Sequence, residues 1–121
     1  MDATRQPLKL SWGEVSYLDW RPAARPVSST LLLLHGGGLD NASLSWGGLG
    51  QALADVGHRV VAPDHPGYGQ SPFAPWPATQ RRLVAYVGEV VDALGLDRYA
   101  VGGLSLGGGM AIGHTLARPQ R

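Results

Sequence analysis

The chain has 121 residues, the size of a single domain, and contains 18 glycines, nine prolines and no cysteine. Ten lysine and arginine side chains nearly balance nine aspartate and glutamate side chains and form no basic run, which excludes the charge pattern of a nucleic-acid-binding protein. The lack of cysteine excludes a disulfide framework and a thiolate zinc site, and the longest leucine run, residues 31–34, is far too short to span a bilayer.

The amino-terminal part of the chain predicts a β-hairpin and a first buried strand. The opening residues MDATRQPLKLSW lack the apolar stretch of a secretory signal, so we expect a soluble, cytoplasmic protein without a membrane partner. Residues 8–12 and 15–20 are short, partly alternating segments joined at Gly13, a pattern that predicts an antiparallel hairpin. Residues 30–34 are uniformly apolar after Thr30, which is typical of a strand buried on both faces.

A helix and a second buried strand follow. Asp40 or Asn41 is suited to cap a helix that continues to about Val56, where Gly57 would end it. Its predicted buried face carries residues at a spacing of three to four: Trp46, Leu49, Leu53 and Val56. Residues 59–63 predict the second buried strand, and residues 64–77 form a loop rich in proline and glycine.

The last part of the chain predicts two helices around a third buried strand. A helix over about residues 79–94 has the clearest 3.6-residue period, and Gly95 ends it. The apolar face of that helix is formed by Leu83, Val84, Val87, Val90, Val91 and Leu94. Residues 99–104 predict the third buried strand, and residues 106–117 the last helix. This alternation predicts an α/β fold with three parallel strands, right-handed crossovers and about three helices.

A serine lies where the third strand meets the last helix, in the pattern Gly103-Leu104-Ser105-Leu106-Gly107. A sharp strand-to-helix turn of this kind holds a serine in strained backbone angles and exposes its hydroxyl at the carboxyl edge of the sheet. The helix amino terminus behind it favours developing negative charge. We therefore predict that Ser105 is a nucleophile. The alternative is an ordinary glycine-rich turn in which Ser105 caps the helix.

Two further loops follow buried strands. The first, His35-Gly36-Gly37-Gly38, leaves backbone N–H groups free, and those of Gly37 and Gly38 together with that of Leu106 would form an oxyanion hole. The alternative for this loop is a flexible glycine turn. The second, DHPGYGQS at residues 64–71, is predicted to be structural, with Asp64 accepting hydrogen bonds from backbone N–H groups.

The segments LLLLHGGGLDNASLSW, APDHPGYGQS and GGLSLGGGMA, over about residues 30–117, resemble the α/β-hydrolase fold family. They are most similar to its small bacterial serine-dependent C–C-bond and ester hydrolases, which include the meta-cleavage-product hydrolases. The resemblance implies the strand order 1-2-4-3-5, a switch point that puts residues 35–38 beside Ser105. His35 is similar to the loop-anchoring histidine of the family. His65 departs from the family, where an apolar residue or arginine is expected.

The base and acid that would activate Ser105 are missing from the expected places. In this family both follow the serine in the chain, yet residues 106–121 hold no carboxylate and one histidine, His114. His114 lies nine residues further along the same helix, about 13 Å along its axis. His58 begins its strand at the wrong end of the sheet. His65 is the single in-chain substitute, and its alternative is an exposed loop histidine.

These observations predict a serine hydrolase acting on an ester or a carbonyl-flanked C–C bond of a small molecule, with no metal or organic cofactor. We expect residues 1–121 to be the amino-terminal part of one domain, without strands 6 to 8, the lid, the catalytic acid and the histidine. Alone, it should show little or no turnover and self-associate through the exposed edge of strand 99–104. Phe73 and Trp76 would either line a pocket or anchor their loop.

The sequence also bears on three other functions. A non-catalytic, hydrolase-like interaction protein is the main alternative, because the base and acid are missing. A phosphate- or nucleotide-binding module is disfavoured, since neither glycine cluster has the G-x-G-x-x-G spacing or a following Lys-Ser/Thr. A dehalogenase with an aspartate nucleophile is disfavoured because the residue at the turn is Ser105.

Overall fold

The computed structural model describes residues 4–23 and 26–118. The chain begins with an antiparallel hairpin of β1 (Thr4–Lys9) and β2 (Glu14–Trp20), paired from Thr4 with Asp19 to Lys9 with Glu14. The predicted hairpin is therefore confirmed. Its first strand lies closer to the amino terminus than residues 8–12, because residues 10–13 form the turn, which the N–H of Leu10 closes on the carbonyl of Gly13.

Three parallel strands complete a sheet in the order β1-β2-β4-β3-β5. They are β3 (Ser29–Leu34), β4 (His58–Pro63) and β5 (Ala100–Gly103). Strand β3 pairs in parallel with both β4 and β5, and β2 pairs antiparallel with β4. The predicted strand order is confirmed, and the carboxyl halves of β3 and β4 are buried as their apolar sequences predicted.

The prediction of a third buried strand is wrong. Strand β5 is four residues long and contains no buried residue, and the following Leu104 is 53% exposed. Among the described residues β5 has β3 as its neighbour on one side, and its other edge is open. An apolar sequence alone does not distinguish a strand inside a sheet from one at its edge, because burial also requires the neighbouring strand and the helices that cover it.

Helix α1 (Ala42–Asp55) packs on one face of the sheet, and its predicted buried face is partly wrong. Trp46 and Leu53 pack against the sheet, but Leu49 and Val56 are 47% and 61% exposed. The buried residues are instead the small ones: Ala42, Gly50 and Ala54. A Cβ on Gly50 would stand 2.7 Å from the indole ring of Trp20, so the helix approaches the sheet at a point where a side chain does not fit.

Helices α2 (Gln80–Leu94) and α3 (Leu106–Ala117) cover the other face. The hydroxyl of Thr79 caps α2 by accepting from the N–H of Arg82, and Gly95 ends the helix at φ +66°. Most of the predicted apolar face of α2 is buried, and the structure adds Tyr86, which the apolar period did not include. In the part of the chain that the structure describes, no helix is long and apolar enough to cross a membrane.

Candidate active site

Ser105 occupies a strained turn between β5 and α3, with φ 54° and ψ −111°. It is the one residue other than glycine with a positive φ among the described residues, and such a conformation costs about 1–3 kcal/mol. Its side chain is exposed and makes no capping hydrogen bond to α3, so the alternative of an ordinary helix cap is wrong. The surrounding packing must hold Ser105 in this conformation.

The glycines on either side of Ser105 permit that packing. A Cβ on Gly103 would overlap the carbonyl of Gly107, and a Cβ on Gly107 would overlap the carbonyl of Leu34 at the end of β3. The turn therefore lies directly against the carboxyl end of the neighbouring strand. The N–H of Leu104 also donates to the carbonyl of Leu34, at 3.1 Å.

The glycine loop after β3 lies beside this turn. The position of a Cβ on Gly36 is 3.7 Å from Cβ of Ser105, and that of a Cβ on Gly37 is 3.4 Å from Cδ2 of Leu106. Neither the N–H of Gly37 nor that of Leu106 donates to another atom in residues 4–23 and 26–118. Gly38, at φ +71°, has nothing within 4 Å of its Cβ position. The structure thus brings Gly37 and Leu106 together and leaves Gly38 facing open space.

Asp40 holds the glycine loop from the side of α1. Its carboxylate accepts hydrogen bonds from the N–H of Gly36 at 2.7 Å, from the N–H of Asn41 at 2.8 Å and from the hydroxyl of Ser45. Burial raises the pKa of the Asp40 carboxyl, but these three hydrogen bonds outweigh it and the net pKa is lower than usual. The sequence suggested Asp40 only as a helix cap; the cap is Asn41, whose side chain accepts from the N–H of Leu44.

Two buried histidines stack beneath the loop. The rings of His35 and His65 are 3.8 Å apart between centroids and inclined by 28°, and the edge of Tyr68 lies against His35. Both histidines are fully buried, so the expectation of His65 as an exposed loop histidine is wrong. Burial lowers the pKa of His35, and burial together with the adjacent His35 ring lowers the pKa of His65 to about 3. Both side chains are therefore neutral at pH 7.

Asp64 has the structural role that the sequence predicted. Its buried carboxylate accepts from the backbone N–H groups of Ala42 and Gln70 and forms an ion pair with Arg5 at 2.8 Å. The following turn uses Gly67 and Gly69 at positive φ. This single carboxylate joins β1, the start of α1 and the loop after β4.

The other two histidines lie elsewhere. His58 is the first residue of β4, as expected, and its Nδ1 is 2.6 Å from the hydroxyl of Ser29. His114 is buried on α3, where Nε2 is 2.6 Å from the hydroxyl of Tyr99. Within the described residues no histidine or carboxylate forms a hydrogen bond with the hydroxyl of Ser105. The described residues also contain no group of three His, Cys, Asp or Glu that could hold a metal ion.

The two aromatic residues of the loop after β4 differ in their contacts. Trp76 packs edge-on against Trp12, with ring centroids 5.6 Å apart, at the border of the core shared with α2. Phe73 is 86% exposed, and its ring lies over Gly67. Trp76 therefore anchors the loop, which agrees with one of the two alternatives for it.

The strand order, the two-sided helix packing and the strained serine turn define the α/β-hydrolase fold class. The family model described as alpha/beta hydrolase fold matches residues 29–120, and the chain belongs to this family.

Two of the curated proteins that the chain is similar to are bacterial hydrolases. The 2-hydroxy-6-oxononadienedioate/2-hydroxy-6-oxononatrienedioate hydrolase of Paraburkholderia phymatum is 35% identical over 96 residues, covering 76% of this chain and 33% of that protein. The 2-hydroxy-6-oxo-6-phenylhexa-2,4-dienoate hydrolase of Burkholderia cepacia is 37% identical over 95 residues, covering 75% of this chain and 32% of that protein. The chain thus spans about a third of the length of these curated relatives.

A solved structure agrees with the sequence relatives. Carboxylesterase CesB from Bacillus subtilis superposes with a TM-score of 0.82 at 26% identity, covering 100% of this chain and 41% of that one. The chain is therefore similar to hydrolases both in sequence and in backbone geometry, which makes it a member of an enzyme family.

Proposed function

We propose that Ser105 is the nucleophile of a hydrolase that cleaves an ester or a carbonyl-flanked C–C bond in a small molecule. The observation that carries this proposal is the strained backbone of Ser105 at the junction of β5 and α3, with its side chain exposed. Such strain persists only where the surrounding structure enforces it, and it clusters at active sites. The names of the diene-acid hydrolases and of the carboxylesterase support the two substrate classes.

In the proposed reaction the oxygen of Ser105 bonds to the substrate carbonyl carbon as its proton passes to a base. The carbonyl oxygen takes the negative charge and accepts hydrogen bonds from the N–H groups of Gly37 and Leu106, with Gly38 at the outer side. When the carbonyl re-forms, the alcohol or carbon leaving group departs and takes up the proton. Water then hydrolyses the acyl-serine in the same way. This chemistry needs no metal or organic cofactor.

The base and its carboxylate partner belong, in this proposal, to residues outside the described part of the chain. The hydroxyl of Ser105 has neither partner among the described residues, and the named relatives are about three times as long as the matched segment. We therefore propose that residues 1–121 supply the nucleophile and oxyanion donors of one hydrolase domain, and that alone they turn over little or no substrate.

The test is covalent labelling of the folded chain with a fluorophosphonate, located by mass spectrometry. Without a built-in base, labelling of Ser105 should be slow, and added imidazole should accelerate it by acting as an external base. Ser105→Ala should abolish the adduct. Ser43→Ala is the matched control, because Ser43 is also exposed in the first turn of a helix but lies within α1, and it should leave the labelling unchanged.

Each result decides between stated alternatives. No adduct at Ser105 in the folded chain, or equal labelling of several serines, contradicts the nucleophile and favours the non-catalytic interaction protein. A rapid burst of p-nitrophenyl acetate hydrolysis that Ser105→Ala removes would contradict the external base. The cytoplasmic location and the absence of a nucleic-acid partner stay predictions of the sequence.

We also propose that the chain self-associates through the open edge of β5. The adjoining helix α3 contains no Asp, Glu, Lys or Arg, and its outer residues Ile112 and Leu116 are 65% and 77% exposed. An open strand edge beside an apolar surface favours pairing with a second copy. Light scattering after size exclusion should show concentration-dependent oligomers that Leu116→Lys reduces. Leu44→Lys, at a 70% exposed leucine on α1, should not reduce them, and a monomer at all concentrations would contradict the proposal.

A further inference from the structure

The peptide groups at the start of the glycine loop are held one after another by hydrogen bonds. A peptide group is planar, so a bond to its carbonyl oxygen also fixes the direction of the N–H on its other side. The group between His35 and Gly36 consists of the carbonyl of His35 and the N–H of Gly36. The next one consists of the carbonyl of Gly36 and the N–H of Gly37, which is one of the proposed oxyanion donors.

The ring of His35 fixes the second of these groups. Its Nε2 lies 3.0 Å from the backbone N–H of His65 and must accept that hydrogen bond. In a neutral imidazole the proton is then on Nδ1, which donates to the carbonyl of Gly36 at 2.6 Å. Because that carbonyl is held, the N–H of Gly37 points in the opposite direction within the same trans peptide plane.

The ring of His65 fixes the first group. Its Nε2 is 2.9 Å from the carbonyl of His35 and therefore carries the proton. In the neutral ring Nδ1 is then an acceptor, and the hydroxyl of Tyr86 lies 3.3 Å from it and 3.4 Å from the carbonyl of Asp64. The N–H of Gly36, which points the opposite way from that carbonyl in the same peptide plane, donates to Asp40. The two histidines are thus neutral, stacked and of opposite tautomers, and each one bonds to the main chain of the other's loop.

We propose that His65 is a positioning residue that orients the oxyanion loop: its Nε2–H holds the carbonyl of His35, so that His35 in turn presents the N–H of Gly37. The inference rests on the proposed function, because it takes Gly37 as a donor to the substrate oxygen. It accounts for the histidine at residue 65. An apolar side chain there would leave the buried carbonyl of His35 without its donor, and an arginine would bring a charge into a fully buried position.

The first test uses the unaltered chain. In ¹⁵N-labelled protein at pH 7, the imidazole nitrogen shifts should show His35 protonated at Nδ1 and His65 protonated at Nε2, with both N–H protons protected from exchange. Any other pair of tautomers, or a cationic His65, would overturn the inference, and this measurement does not depend on the chemistry of Ser105.

The second test compares variants of His65. His65→Phe keeps a ring on His35 but removes the donor, and should slow the imidazole-assisted labelling of Ser105 by about 10-fold or more per folded molecule. His65→Gln supplies an N–H in place of Nε2–H, and should stay within about 3-fold of the wild type. His58→Phe is the matched control, because His58 lies at the amino end of β4, away from the loop that carries His65, and it should leave the rate unchanged.

The outcomes separate this inference from the proposed function. If the wild-type chain is labelled at Ser105 and His65→Phe is labelled at the same rate, His65 is only a packing residue and the inference fails alone. If wild-type Ser105 is not labelled, the proposed function fails, while the amide shift of Gly37 in His65→Gln and His65→Phe still tests the orientation of the loop. That shift should move strongly in His65→Phe and little in His65→Gln; equal shifts in both would contradict the role of the donor.

Discussion

The buried His65 predicts that the fold loses stability on mild acidification. Burial and the neighbouring His35 ring lower the pKa of His65 to about 3, whereas a histidine in the unfolded chain titrates near 6.5. Below pH 6.5 the unfolded chain therefore binds a proton that the folded chain excludes. The stabilisation of the neutral imidazole is fully present above pH 6.5 and is lost as the pH falls towards 3.

The size of this loss follows from the two pKa values. One pKa unit corresponds to about 1.4 kcal/mol, and the loss begins only below pH 6.5, where the unfolded histidine takes up its proton. Between pH 7 and pH 4.5 the free energy of unfolding should therefore fall by about 3 kcal/mol on account of His65 alone. Burial also lowers the pKa of His35, which adds to the loss in the same direction. The lowered pKa of Asp40 acts mainly below this window, since an ordinary aspartate titrates near 3.8.

The assay is urea unfolding followed by tryptophan fluorescence at several values between pH 7 and pH 4.5. His65→Gln cannot titrate and should lose the part of the pH dependence that belongs to His65, so its stability should fall less steeply than that of the wild type. His58→Gln is the control, since His58 lies at the amino end of β4 and His65 in the loop that follows the strand. A wild-type stability that is flat over this range, or an equal slope in His65→Gln, would refute the reasoning.

Glycine-to-alanine substitutions test the close backbone contacts. The free energy of unfolding in urea is compared between a tightly packed glycine and a less crowded glycine of the same helix. Gly107→Ala places a Cβ on the carbonyl of Leu34 and should cost about 3 kcal/mol or more, whereas Gly108→Ala, with its nearest atom at 3.4 Å, should change stability by less than about 1 kcal/mol. Gly50→Ala meets the indole of Trp20 at 2.7 Å and should cost about 1–3 kcal/mol, while Gly48→Ala has open space and should stabilise α1 by up to about 1 kcal/mol. Equal effects within either pair would show that these contacts relax freely.

Much of the fold could be predicted because the sequence carries clear local signals. The run of apolar residues in β3, the helix stop at Gly95 and the glycine spacing around Ser105 each depend on a few neighbouring residues, and their elements appear where expected. The burial of individual faces was less predictable. In α1 the exposed Leu49 and the buried Gly50 depend on how closely the helix approaches Trp20, which is set by partners distant in the chain.

The candidate site shows the same division. The positions of Ser105 and the glycine loop follow from motifs, and the structure places the loop beside the serine turn. The roles of Asp40 and His65 could not be predicted, because both depend on hydrogen bonds between loops that follow different strands. A signal for His65 existed in the sequence, since a histidine where the family has an apolar residue or arginine marks an unusual environment.

The hydrogen bonds and the ion pair of Asp64 limit how far the chain can be shortened at its amino terminus. The strongest motifs all lie after Ser29, which suggests that a shorter protein beginning at β3 would keep everything that matters. Such a protein would take away Arg5, the cation paired with the Asp64 carboxylate at 2.8 Å, and the carboxylate that holds the start of α1 would lose its ion pair. A shortened protein therefore needs the hairpin to keep the start of α1 in place, although the hairpin carries none of the residues proposed for the chemistry.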